Sequence, residues 1–122
     1  MLFNNSEITI LIADTSTRVC DYIAQSLAGS GVVTHTCNSS SDVIPMYEKH
    51  LPDIVLIELR LSPESGIETT KALKARYPNA RIVMLTSHNE TEYRSSAREA
   101  GAAGLLVKDH LVDLHTVIAV MH

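Results

Sequence analysis

Apolar residues in this chain fall in short unbroken runs. The clearest are Ile8-Thr9-Ile10-Leu11-Ile12-Ala13, Ile54-Val55-Leu56-Ile57, Ile82-Val83-Met84-Leu85 and Leu105-Leu106-Val107. Runs of four or so branched residues suit strands of a parallel sheet that is covered on both faces. They predict strands at about 7–13, 32–37, 53–58, 81–86 and 103–107. The intervening segments predict helices that begin near Ser16, Ser40, Glu64, Asn89 and His110. Val19, Ile23 and Leu27 form the inward stripe of the first helix, with Cys20 and Ala24 in register, and Gly29 to Gly31 stops it. Pro78-Asn79 ends the third helix and Gly101 the fourth. Strands alternating with helices over short connections give a parallel sheet with right-handed crossovers, hence a three-layer α/β sandwich.

Four of the runs end on a group that carries chemistry: Asp14, Glu58, Thr86 and Lys108. Open α/β sheets bind ligands at the carboxyl ends of their strands, so these four side chains are predicted to share one rim. A chain of 122 residues suits a single domain, here 1–122, and a net charge of −4 with no basic stripe argues against direct nucleic-acid binding. No apolar stretch is long enough to span a bilayer, and residues 1–7 lack the regions of a signal peptide. The two cysteines, Cys20 and Cys37, form no C-x-x-C pair, so packed thiols and a reducing cytoplasm are expected. The six histidines show no zinc spacing. The loop Asp14-Thr15-Ser16-Thr17 lacks the glycines of a nucleotide cradle.

Several stretches in order resemble the receiver domain of bacterial response regulators over essentially the whole length. They are Ile10 to Asp14, Pro52 to Glu58, Leu61 through Gly66-Ile67-Glu68, Val83 to Ser87, and Ala100 to Asp109. The resemblance implies a doubly wound, flavodoxin-like (βα)5 sandwich with a parallel sheet in the order 2-1-3-4-5. The last stretch, with Arg18, is most similar to receivers that precede a helix-turn-helix DNA-binding domain. No such domain lies within these residues, so the expectation is an output half outside this chain or a protein that acts alone.

In the family, an aspartate ending the third strand accepts a phosphoryl group from a histidine kinase. Two acids ending the first strand help it hold Mg2+, and a hydroxyl and a lysine bind the phosphoryl oxygens. The resemblance carries these roles to Glu58 at the phosphoacceptor position and to Thr86 and Lys108 around it. Asp14 and Glu58, with the backbone of Arg60, would hold Mg2+ weakly. Three positions depart: Glu58 stands for the aspartate, Thr15 for the second acid, and Leu105 for the switch aromatic. One extra methylene moves the Glu58 carboxylate outward by about 1.5 Å. A shift of that order in an in-line transfer can cost about 100-fold. The same reach would place Glu58 against Thr86 and Lys108 as a partial phosphoryl mimic, biasing the domain toward one conformation.

Plainer readings stand beside these. Asp14 with Lys108 can be a structural ion pair, and Thr86 can satisfy backbone groups at a strand end. Arg60 either pairs with Glu58 or points into solvent, and His88 reads as a solvated loop residue. The fourth helix, Glu90 to Arg98, is polar and reads as solvated. The last helix places Leu111, Leu114, Ile118 and Met121 inward and Val112, Ala119 and Val120 outward, a candidate interface for a second copy or an output domain. Two function classes follow. One is a non-enzymatic regulatory module that binds a histidine kinase or another signalling protein without phosphorylation. The other is a working phosphoacceptor switch using Mg2+.

Overall fold

A computed structural model describes residues 7–29, 31–87 and 92–108, together with Leu114 and Ile118. Five strands form one parallel sheet: β1 (Ile8–Ala13), β2 (Val32–Cys37), β3 (Ile54–Glu58), β4 (Ile82–Thr86) and β5 (Gly104–Val107), in the order β2-β1-β3-β4-β5. Between them run α1 (Thr17–Leu27), α2 (Val43–His50), α3 (Gly66–Arg76) and α4 (Tyr93–Ala100). This is the flavodoxin-like order that the resemblance implies. β3 and β4 are buried at every residue, which is why their sequences show continuous apolar runs and no alternation.

The side chains of each strand alternate between two cores. On one face Leu11, Val55, Ile57, Ile82, Met84 and Leu105 meet Val43 of α2, Leu73 of α3 and Ala97 of α4. On the other Ile10, Ile12, Ile54, Leu56, Val83 and Leu85 meet Cys20, Ile23 and Leu27 of α1. Leu114 and Ile118, both helical, are buried in this second core, as the inward stripe of the last helix requires. Leu111, Met121 and the proposed outward stripe of Val112, Ala119 and Val120 lie outside the described residues, as do His88, Asn89, Glu90, Thr91 and His110.

Helix starts follow their caps. Ser16 Oγ accepts the Val19 N–H at the start of α1. α3 begins at Gly66 rather than at Glu64, because Ser65 Oγ takes the Glu68 N–H while the Glu64 N–H is spent on Ser40 Oγ. The segment after β2 first makes a 3₁₀ turn, Ser40–Asp42, before α2 proper. α4 begins at Tyr93, later than the expected Asn89, and Glu92 before it gives no side-chain cap. Gly101 ends α4 in the left-handed region, φ 111°, its N–H reaching the carbonyls of Ala97 and Arg98. α4 is not wholly solvated: Ala97 and Ala100 are buried, and Arg94 Nη1 donates to the Leu105 carbonyl at 3.2 Å.

Candidate functional site

Strand register sets the rim. Ala13 pairs with Ile57, so Asp14 and Glu58 are the next residues on neighbouring strands. Glu58 pairs with Leu85, and Thr86 pairs with Val107, the residue before Lys108. Thr86 is buried, and so are Asp14 and Glu58, an unusual state for two carboxylates unless they are partnered.

Lys108 is their partner. Its ammonium lies 2.6 Å from Asp14 Oδ2 and 3.1 Å from Glu58 Oε1. The Asp14 contact is a close ion pair without the alignment of a hydrogen bond, whereas the Glu58 contact is a hydrogen bond. The second oxygen of Glu58 turns to Thr15, whose N–H and hydroxyl both donate to Oε2, at 2.9 and 3.0 Å. Asp14 Oδ1 accepts the Ser16 N–H at 2.9 Å, and Asn38 Nδ2 donates to the Asp14 carbonyl at 2.8 Å, fixing the β1–α1 loop.

The two carboxyls are driven in opposite directions. Burial pushes Asp14 above the ordinary aspartate value, against the pull of Lys108 and Ser16, and the charge of Glu58 adds to the rise. Burial acts on Glu58 too, but the Thr15 donors and Lys108 outweigh it and hold the carboxyl below the glutamate value. Lys108 is pushed down by burial and more than restored by Asp14 and Glu58, so it stays charged. The thiols of Cys20 and Cys37 are buried and in no disulfide, and burial pushes both up to about 11, which leaves them protonated packing groups.

The structure therefore brings Asp14, Glu58 and Lys108 together as the sequence suggested, with Thr86 at the end of the adjacent strand. Arg60 is exposed. The contribution that the sequence reading missed is Thr15, counted there only as a lost acid. A hydroxyl directly after an acid at a strand end was the available signal, but its target is 43 residues away. Leu105, at the expected switch position, is a buried core residue.

Mg2+ takes about six oxygens in near-octahedral geometry. Among the described residues no three His, Cys, Asp or Glu side chains cluster to hold a metal ion. Each carboxylate oxygen at the rim already faces a donor or the ammonium. In this arrangement the residues present do not fit Mg2+.

The model of the response regulator receiver domain matches residues 10–119. The chain is 29% identical over 82 residues to the transcriptional regulatory protein DegU of Brevibacillus brevis, covering 64% of this chain and 35% of that protein. It is 34% identical over 79 residues to the uncharacterized transcriptional regulatory protein YxjL of Bacillus subtilis, covering 65% and 36%. The chain thus spans little more than a third of the length of these curated relatives. Among solved structures, a LuxR-family two-component response regulator from Aurantimonas superposes with a TM-score of 0.85 at 26% identity, covering 95% of this chain and 86% of that one. The chemotaxis protein CheY4 of Vibrio cholerae gives 0.87 at 21% identity, covering 96% and 100%, a likeness of fold alone. With five strands in this order and a family match over nearly its whole length, the chain belongs to the response regulator receiver domain family.

Proposed function

We propose that this chain is an atypical receiver module of two-component signal transduction, acting through protein–protein contact with phosphoryl transfer impaired or absent. One observation carries the reading: both oxygens of Glu58, the residue at the phosphoacceptor position, are engaged, Oε1 by Lys108 and Oε2 by Thr15. A nucleophile must present a free oxygen in line with the phosphorus, and here it would first have to break these contacts. Leu105 supports the same reading, since an aliphatic side chain packed in the core cannot report the state of the rim as an aromatic could.

In this reading Glu58 holds the rim in one state, a single charge standing where a phosphoryl group would place nearly two. The partner is a histidine kinase or another signalling protein, met through the last two helices, or an output domain or second copy that uses the same face. Regulation of transcription in the cytoplasm fits the printed roles of the curated relatives and the unpaired thiols.

The test is intact mass after incubation with Mg2+ and acetyl phosphate, for the native chain and for Glu58→Asp. No adduct on the native chain supports the proposal. A native adduct establishes the working phosphoacceptor switch in its place.

A further inference from the structure

We propose that Thr15 and Glu58 are one unit that closes the rim to divalent metal, with Thr15 as the positioning residue and the Lys108 ammonium in the place of the cation. The inference rests on the atypical-receiver reading and deepens it. Viewed singly, Thr15 is a missing ligand and Glu58 an overlong one. Together they are complementary: the extra methylene brings Oε2 to the two donors that residue 15 offers, at 2.9 and 3.0 Å. An aspartate at position 58, about 1.5 Å shorter, would withdraw from those donors. An aspartate at position 15 would set a carboxylate where a hydroxyl now donates to a carboxylate, bringing two like charges into contact.

The charges lead to the same conclusion. Two carboxylates and one ammonium leave the rim with a net charge of about −1, half of what the carboxylates alone would carry. A metal would have to displace the ammonium from 2.6 and 3.1 Å and strip the Thr15 and Ser16 donors from the oxygens it needs. It would gain only two carboxylates in return, and Mg2+ gives up its water reluctantly.

The two positions should therefore revert only together. Mg2+ binding is measured by calorimetry and by amide shifts of Ser16 and Lys108 in four proteins: the native chain, Thr15→Asp, Glu58→Asp and the double variant. Residues in contact couple, so the double variant should bind Mg2+ about tenfold or more tighter than the product of the two single effects. Independent effects, or native binding as tight as that of the double variant, would overturn the proposal. A second arm needs no metal. The carboxyl carbon resonance of Glu58 should move in Thr15→Val, which keeps the shape and the N–H donor but loses the hydroxyl donor, and return in Thr15→Ser. No movement in Thr15→Val overturns the positioning role even if the aspartate variants fail to fold. A phosphoryl adduct on the native chain would sink the functional reading, whereas absent coupling sinks only this proposal.

Discussion

The ammonium of Lys108 and the carboxylate of Asp14 lie 2.6 Å apart, with side chains only 13% and 1% exposed. Such a pair is held by mutual need more than by net gain, because each charge has been taken out of water. Lys108 also serves Glu58, so removing it strands two carboxylates. Lys108→Met should cost about 3–5 kcal/mol in urea unfolding at neutral pH. The loss should shrink in mild acid, where a proton on Asp14 replaces the missing cation. A loss that does not depend on pH would show that the pair is not the source.

Gly66 sits against the backbone of the site. A Cβ there would lie 2.3 Å from the Glu58 carbonyl oxygen and 2.9 Å from Leu59 Cα, neither of which is a flexible side-chain end. The Gly66 N–H meanwhile donates to the Leu59 carbonyl at 2.9 Å, holding α3 close to the end of β3. Gly66→Ala should therefore destabilise by about 1–3 kcal/mol, the cost of overpacking. The amide resonances of Glu58 and Leu59 should shift with it. Native stability in that variant would refute the close approach.

A second feature of the fold answers to pH. His35 of β2 and His50 at the end of α2 stack with ring centroids 3.5 Å apart and planes 15° from parallel. Burial, then the charges of His35 and Lys49, hold His50 below its ordinary value of 6.5. The folded state thus binds fewer protons than the unfolded chain. The stability contributed by neutral His50 is present above 6.5 and is lost as the pH falls through the lower folded value. Urea midpoints should drop on acidification below pH 6.5, and the drop should be shallower in His35→Asn. An equal slope in the variant would rule out the stack as its cause.

Ser40 ties the 3₁₀ turn before α2 to the loop before α3. Its buried hydroxyl accepts the Glu64 N–H at 2.9 Å and donates to Glu64 Oε1 at 3.2 Å, and its N–H reaches the Ser62 carbonyl at 2.9 Å. Ser40→Ala leaves the Glu64 N–H without that acceptor and should cost about 1–3 kcal/mol. Calorimetric unfolding would measure it, and an unchanged midpoint would mean that water takes the place of the hydroxyl.

The fold was legible because its signals are local. Strands covered on both faces must be apolar at every position, so Ile54 to Ile57 and Ile82 to Leu85 announce themselves, and the polar group after each run marks the rim. Caps were legible where one residue decides them, as with Ser16 and Gly101. The start of α3 was misjudged by two residues because Ser40, 24 positions away, takes the N–H of Glu64.

By itself the sequence determined the α/β class, the run and helix order, and the identities of Asp14, Thr15, Glu58 and Lys108. It also placed a glutamate, Glu58, at the end of the third apolar run and a hydroxyl, Thr15, directly after Asp14. Only the tertiary structure decided that Thr15 donates to Glu58 and that one ammonium is shared between Glu58 and Asp14. The same holds for the stack of His35 on His50. Local periodicity fixes which face a side chain takes along its own strand or helix. Which distant side chain it then meets depends on strand order and register, and these are set by packing the whole sheet at once.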